Sequence, residues 1–255
     1  MPSSYAHHRF GRELLPALPP EVRQCIQRFR RMYDLGLQGP DFFFYYNPYF
    51  KTAIGELGKV YHRKTGQDFF PAACAAATSE AAKAYLYGLL GHYCLDSRCH
   101  PFVEQLAAIG EARHTPLESE LERYLLLLDG EPAPERYDIS KRFRLTRGEC
   151  MTVAAFYPPA TGGAVSHSIR SMAFSLRFLA SPKRNRNVAI LKKVKPSLIE
   201  HMIPARDDPD LAPYVGELKT LYDTALQQYP LLLSQLLEHM KNGQPLGEDF
   251  SRNFG

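Results

Sequence analysis

The chain has 255 residues, with 31 Lys and Arg against 27 Asp and Glu and a net charge of +4. This length fits one large domain, and the hydrophobic fraction of 45% and charged fraction of 23% are typical of a globular protein. The charge is too small to predict a nucleic-acid partner, so no stable one is expected. The five cysteines are an odd number without framework spacing, which argues against a disulfide scaffold.

Two absences bear on where the protein works. The first residues lack the apolar core of a signal peptide, and no apolar run reaches about 18 residues. We therefore expect a cytoplasmic protein without a transmembrane segment.

Helical periodicity dominates the start of the chain. Apolar positions over residues 22–33 share one helical face, which predicts a helix that stops at Gly36. Asn47 followed by Pro48 predicts the N-cap and first position of another helix, ending near Gly66.

The middle of the chain contains the most apolar predicted helix. It covers about residues 79–100 and is expected to be buried, with Pro101 closing it. A shorter helix is predicted over residues 102–113. Thr115 and Glu118 then match the two ends of a capping box, which predicts the start of the next helix.

The second half of the chain is also predicted to be helical. Residues 130–147 form a turn-rich surface excursion, and residues 169–180 form a helix. A basic run follows at residues 183–195. The last helix is predicted over residues 214–242, kinked or split at its proline and stopped by Gly243. No segment shows sustained period-two alternation, so the predicted class is all-α, with one domain covering all 255 residues.

Five residues of metal-ligating type follow one another at regular steps. His92, Asp96 and His100 lie four residues apart on the apolar helix, and His114 and Glu118 repeat this step. Residues i and i+4 share a helical face, so each pair can hold one ion from consecutive turns. The pattern is H-x3-D-x3-H-x13-H-x3-E.

Imidazole and carboxylate ligands together suit zinc, and also manganese, iron or nickel. Two ligand pairs predict more than one ion. Burial of Asp96 and two histidines in an apolar helix is costly unless another group pairs with them, and a metal cluster would do so.

Each of these residues also has an ordinary structural interpretation. His100 or His62 can cap the last carbonyls of a helix, Glu118 can serve the capping box, and Asp96 can be a surface residue. Taken singly, the structural interpretations are favoured. The combination of five residues at defined steps favours a metal site.

Five segments within residues 5–118 carry a family resemblance. They read YAHHRFG, QGPDFFFYY, GELGKVYHRKTG, GHYCLDSRCHP and HTPLE. In type, order and spacing they resemble the zinc-dependent phospholipase C family, which shares its fold and site with single-strand nucleases. The second half of the chain is similar only as continued helical structure.

The resemblance implies a phospholipase C/nuclease-like fold around a cluster of two to three Zn²⁺ ions. It also implies a phosphodiester substrate, with phospholipids among the candidates. In the family, the metals polarise the phosphoryl oxygen and activate a water. Asp41 would double as the acceptor of the proton from that water.

The resemblance also assigns the ligands, residue by residue. One ion would be held by Asp41, His62, His92 and Asp96. A second would be held by His100, His114 and Glu118. A third would be held by His7, with Asp96 as the bridge, and His7 is favoured over the adjacent His8.

The third site departs from the family pattern. The secreted relatives begin with a Trp whose terminal amine and carbonyl complete this site, and the chain contains no Trp. We therefore expect the third ion to be held more weakly than the other two. The aromatic residues 42–46 are predicted to be core, with a choline-type cage as the alternative.

Two further functions stay open at this point. The first is a nuclease or nucleotidase on the same fold, with aromatic side chains that stack on bases. The second is a non-catalytic, zinc-stabilised helical domain with closed coordination. The basic run is predicted to be a solvated face, and peripheral contact with an anionic membrane is its alternative.

Overall fold

A computed structural model describes residues 4–48, 50–194 and 196–255. These residues contain no strand and only one isolated β-bridge, between Thr65 and Asn253, which confirms the predicted all-α class. Within them lie eleven α-helices: α1 (Ser4–Leu14), α2 (Pro20–Arg28), α3 (Arg30–Gly36), α4 (Ala53–His62), α5 (Gly66–Ala76), α6 (Glu80–Ile109), α7 (His114–Leu128), α8 (Arg147–Ala154), α9 (Gly162–Leu179), α10 (Arg184–Val194) and α11 (Ala212–Asn242). Short 3₁₀ helices span Leu15–Ala17, Asp41–Tyr45, Pro134–Arg136, Ser140–Arg142, Pro196–His201 and Glu248–Phe250.

Helix α6 is the central element, and α3 packs directly on its backbone. A Cβ atom on Gly36 would lie 2.2 Å from the carbonyl oxygen of Tyr85, and one on Gly88 would lie 2.2 Å from that of Tyr33. The two glycines therefore permit a close approach that no other residue would allow. This contact brings the chain that follows α3 to the ligand-bearing part of α6.

Helix α11 packs against α6 as well. The Tyr229 hydroxyl donates a hydrogen bond of 2.9 Å to the carbonyl oxygen of Tyr87, deep in the core. The predicted final helix is confirmed, although it is a single helix with Pro230 inside it rather than two pieces. It ends at Gly243, whose φ of 69° is the left-handed conformation that terminates helices.

Pro101 does not end the central helix as predicted. Helix α6 continues through it and stops at Gly110, so the separate helix predicted over residues 102–113 is wrong. Proline has no N–H, which leaves the carbonyl of Ser97 without its helical donor. The Arg252 guanidinium donates to that carbonyl at 3.3 Å, so a tertiary contact replaces the missing helical bond.

Two predicted N-caps are also wrong. Asn47 has a φ of 46°, which is not an N-cap conformation, and α4 is capped instead by the Thr52 hydroxyl, which accepts the Gly55 N–H at 3.0 Å. Helix α7 begins at His114, ahead of Thr115, and its N-terminus has no side-chain cap. The predicted capping box is therefore absent from α7.

The predicted helix over residues 22–33 is two helices, α2 and α3, because Phe29 leaves the helical region with φ −118° and ψ 43°.

Helix α5 begins at Gly66, where the sequence predicted the end of a helix. Its N-cap is Thr65, whose hydroxyl accepts the Asp68 N–H at 3.1 Å. No helix in the described residues is both long and apolar enough to cross a membrane.

Candidate metal centre

Five of the predicted ligands form one buried cluster, which we call the inner group. They come from four elements: α1 supplies one, the Asp41–Tyr45 helix one, α4 one and α6 two. All five are buried. The members of the inner group are His7, Asp41, His62, His92 and Asp96.

Asp96 is the hub of the inner group. Its Oδ1 lies 3.0 Å from Nε2 of His7, and its Oδ2 lies 3.2 Å from Nε2 of His92. Nε2 of His62 is 3.9 Å from Oδ2 of Asp96 and 2.9 Å from Oδ1 of Asp41. These contacts bring imidazoles from three different helices to the two carboxylates.

The tightest set within the inner group differs from the set that the resemblance implied. His7, Asp41, His92 and Asp96 each offer a ligand atom within 4.8 Å of the others. His7 thus stands where His62 was expected, and His62 lies beside this set through its contact with Asp41.

The three remaining predicted ligands form a second cluster, which we call the outer group: His100, His114 and Glu118. Each offers a ligand atom within 4.8 Å of the others. Oε1 of Glu118 lies 3.0 Å from Nε2 of His114 and 3.5 Å from Nε2 of His100. The His114 side chain is 32% exposed, so this group reaches the surface.

The two groups are continuous. Nε2 of His100 lies 3.6 Å from Oδ1 of Asp96, the same oxygen that contacts His7. Asp96 is therefore placed to bridge neighbouring ions, as a carboxylate with two oxygens can.

Local backbone features place Asp41 and orient the histidines. Gly39, just after α3, has a φ of 50°, and a Cβ atom there would lie 2.1 Å from Cδ2 of His92. Only glycine fits this turn, which places Asp41 in the cluster.

The orientation of His62 is set on α4. Its Nδ1 donates to the carbonyl oxygen of Gly58 at 2.7 Å, which leaves Nε2 as the ligand atom.

Several buried atoms of the inner group have no hydrogen-bond partner among the described residues. They are Nδ1 of His7, Oδ1 of Asp41, Nε2 of His62, both ring nitrogens of His92 and Oδ2 of Asp96. Buried polar atoms are rarely left unpaired, because each costs free energy. The donor set of imidazole nitrogens and carboxylate oxygens fits Zn²⁺, which would take up one nitrogen of each imidazole and the unpaired carboxylate oxygens.

The electrostatics of the inner group keep its carboxylates charged. Burial opposes ionisation, but the neighbouring histidines lower the pKa of Asp41 and hold that of Asp96 well below its usual range. Burial lowers the pKa of His92 to about 4, so its imidazole is neutral at neutral pH. Ionised carboxylates and a neutral imidazole are the forms that bind metal.

The outer group holds an extra proton. Burial acts against a charged His100, but the Asp96 and Glu118 carboxylates raise its pKa to about 9. Glu118 has a lowered pKa because its hydrogen bonds with His100 and His114 outweigh its burial. An ion that binds here must displace the proton of His100.

His8 lies outside the cluster, as expected from its place next to His7. Its Nδ1 is 3.5 Å from Oδ1 of Asp34, which also accepts a hydrogen bond from Arg30 at 2.7 Å. His8 is fully buried, and burial lowers its pKa. It belongs to a separate polar contact between α1 and α3.

The aromatic segment after Asp41 is largely core. Phe42, Phe43 and Tyr45 are buried, and the first two pack edge-to-face on Tyr157. Phe44 is half-buried, with its ring 5.4 Å from that of His62.

Two features of the site were not predicted. Glu122 caps α1, because its carboxylate accepts the backbone N–H groups of Tyr5 and, at 3.3 Å, Ala6, next to the ligand His7. Glu122 lies four residues after Glu118, as Glu118 does after His114, so the sequence spacing could have indicated that it faces the site.

Phe254 packs against His92 and donates its N–H to the carbonyl of His62 at 3.0 Å. Nothing in the sequence pattern indicated this contact.

Comparison with models of protein families, with curated proteins and with solved structures gave no match for this chain. The phospholipase C resemblance therefore stays a prediction, carried by the motifs alone. What the geometry adds is that the eight predicted ligands lie together as one continuous and mostly buried set, and seven of them form two groups that could hold a metal ion.

Proposed function

We propose that this protein is a metal-dependent phosphodiester hydrolase of phospholipase C type, which binds two to three Zn²⁺ ions in its inner and outer groups. The observation that supports this proposal is the contiguous set of five imidazoles and three carboxylates, most of them buried, with unpaired ligand atoms at its centre. Zinc is the favoured ion because it takes nitrogen and oxygen ligands together.

A structural ion-pair network is a weaker explanation for the same residues. Nε2 of His92 and Oδ2 of Asp96 lie 3.2 Å apart, but neither atom has a hydrogen-bond partner among the described residues. Buried ion pairs stabilise a fold only with good geometry and satisfied partners. Metal ligation uses these atoms directly.

Bound metal would supply a polarised phosphoryl oxygen and an activated water. Asp41 is proposed to accept the proton of that water. Its lowered pKa keeps it ionised at neutral pH, and its Oδ1 lies 2.9 Å from Nε2 of His62. The partly exposed His114 marks the outer group as the side from which a phosphodiester would approach.

The proposal is tested with purified protein, elemental analysis and a substrate screen. The substrates are an aryl phosphodiester, an aryl phosphorylcholine, single-stranded DNA and a mononucleotide. We expect at least two zinc ions per chain. We also expect turnover of the aryl phosphodiester and of the aryl phosphorylcholine, and a chelator should abolish turnover of both substrates. Asp41→Asn should abolish turnover. Asp34→Asn, which changes a buried carboxylate paired with a histidine outside the cluster, should retain it.

The screen also separates the alternatives. Bound zinc without turnover of any substrate would favour a non-catalytic, zinc-stabilised domain. Turnover of DNA or the mononucleotide alone would favour a nuclease or nucleotidase. A protein that stays metal-free and gains no thermal stability on zinc addition would refute the metal centre itself.

A further inference from the structure

Positive charge is concentrated in one part of the chain. Residues 150–199 contain eight of the 31 Lys and Arg and none of the 27 Asp and Glu. The rest of the chain therefore carries 23 bases against 27 acids and is acidic overall. Uneven charge of this kind creates a local positive potential even when the net charge is small.

Part of this charge lies on an exposed face of α9. Arg170, Phe174 and Arg177 occupy positions i, i+4 and i+7, so they form one stripe along the helix. All three are exposed, and Phe174 is 62% exposed. A large apolar side chain thus stands between two cations on the outside of the molecule.

Helix α10 repeats the same arrangement. Arg186, Ile190 and Lys193 again lie at i, i+4 and i+7, all exposed, with Ile190 43% exposed. The helix is tied to α9 by the buried Asn187, whose amide donates to the carbonyl of Phe178 at 2.7 Å. The sequence of cation, apolar residue and cation therefore occurs on two consecutive helices.

The cations of these two stripes are not neutralised by ion pairs. None of the four forms an ion pair in the described part of the chain, whereas Arg9, Arg30 and Arg123 elsewhere do. Phe174 stacks on Phe178 with ring centroids 6.3 Å apart, yet it stays 62% exposed. Exposed apolar side chains beside unneutralised cations are the composition of a surface that meets an anionic, partly apolar partner.

We propose that these two cationic stripes, Arg170, Phe174 and Arg177 on α9 and Arg186, Ile190 and Lys193 on α10, dock the protein on an anionic phospholipid surface. Each cation near such a surface strengthens binding about fivefold. The apolar side chains between the cations enter the boundary between headgroups and acyl chains. An aliphatic residue such as Ile190 has no role against a nucleic-acid backbone, which favours a bilayer over RNA or DNA.

This inference does not depend on the metal centre, because its test measures binding and not turnover. The full-length protein is sedimented with vesicles of phosphatidylcholine alone or mixed with phosphatidylserine, at low salt and again in about 1 M salt, where charges are screened within about 3 Å. We expect binding to the mixed vesicles only, and its loss in high salt.

A variant that lacks the four stripe cations, together with a matched control, tests whether the stripes are the membrane-binding surface. Changing all four stripe cations to Gln should weaken binding to the mixed vesicles by about two orders of magnitude or more. The control changes four exposed cations outside residues 150–199 to Gln, namely Arg28, Arg63, Arg206 and Lys241. It should bind nearly as well as the unchanged protein.

A fluorescence measurement tests insertion directly. The chain has no Trp, so Phe174→Trp introduces a single reporter. Its emission should shift to shorter wavelength on mixed vesicles and be quenched by lipids brominated in the acyl chain. Ile109→Trp, at a site that is 63% exposed on α6, should show neither effect.

Three results would overturn the proposal. They are no binding to mixed vesicles at low salt, equal weakening by the stripe variant and its control, or a Phe174→Trp emission that brominated lipid does not quench. If the stripe variant instead loses binding to single- or double-stranded nucleic acid while vesicles are never bound, the occupant is nucleic acid and the lipid proposal is wrong.

Discussion

The inner and outer ligand groups meet at Asp96, yet they are assembled by different means. The outer group comes from two helices, and one of its contacts is the i, i+4 pair of His114 and Glu118 on α7. The inner group needs α1, the Asp41–Tyr45 helix, α4 and α6 to come together. One group is therefore shaped largely by local helix geometry and the other by the tertiary fold.

This contrast leads to different expectations for the bound ions. Metal in the inner group should be coupled to folding and exchange slowly, because its ligands are buried and meet only in the folded state. Metal in the outer group should exchange faster, since His114 is partly exposed. The sequence had led us to expect the ion at His7 to be the weakest, and the burial of His7 beside Asp96 favours the opposite order.

The largest effect is expected for Asp96→Asn, which removes the charge shared by both groups. Removing one partner of a buried charged cluster costs about 3–5 kcal/mol. We expect loss of metal from both groups and a matching fall in the free energy of unfolding, measured by elemental analysis and urea denaturation. Asp34→Asn should keep the metals. Full metal content in Asp96→Asn would show that Asp96 is not the bridge.

A pair of ligand variants tests the contrast between the groups. His7→Ala should abolish the slowly exchanging fraction of metal, with an affinity loss larger than the roughly 10- to 100-fold seen when a residue behind a ligand is removed. His114→Ala should abolish only the fast fraction, and His8→Ala should keep both. The measurement is stepwise removal of zinc by a colorimetric chelator. If His7→Ala removes the fast fraction instead, the weak third site predicted from the sequence is correct.

Gly39→Ala should disturb the inner group alone. A side chain at its φ of 50° costs about 1–3 kcal/mol, and the new methyl would also push His92 out of place. Gly110→Ala is the matched control, because Gly110 has a φ of 78° but no atom within 4 Å of an added Cβ. Both variants should lose stability, and only Gly39→Ala should lose affinity for metal in the inner group. Equal metal affinities would contradict the proposed role of this turn.

The smallest effect is a difference in pH dependence. His100, with its pKa raised to about 9, is protonated at pH 7, so binding to the outer group must release that proton. Affinity there should rise about tenfold per unit between pH 7 and pH 9. In the inner group, His92, with its pKa lowered to about 4, is already neutral and adds no slope. Burial opposes a charged His7, but the Asp96 carboxylate raises the pKa of His7, so any pH dependence of the inner group should come from that residue. Calorimetric titration in buffers of different ionisation enthalpy counts the protons that metal binding releases. In His100→Gln, the affinity of the outer group should no longer rise with pH.

Local sequence patterns anticipated those parts of the site that lie on one helix. The four-residue steps of His92, Asp96 and His100 were readable because helix geometry alone places them on one face. His7, Asp41 and His62 came only from the family resemblance, because no spacing rule links residues on different elements. Their mutual distances became visible only in the folded structure.

Two of the errors in the predicted helices have a common cause. Pro101 should end a helix by its local chemistry, but Arg252 satisfies the Ser97 carbonyl that proline leaves free. Glu118 fits a capping box by its spacing, but its carboxylate turns to His100 and His114 instead. In each case a tertiary contact outweighs a local preference, and such contacts cannot be read from neighbouring residues.

All eight predicted ligands lie between residues 7 and 118, whereas part of what encloses them is encoded later. Helix α9 packs on the Asp41–Tyr45 helix, α11 on α1 and α6, and Phe254 on His92. A ribosome therefore synthesises the complete ligand set before the segments that bury it. Because domains fold as units, the inner group should bind its metal only after residue 254 has left the ribosome. A nascent chain that ends shortly after α7 should bind metal only loosely.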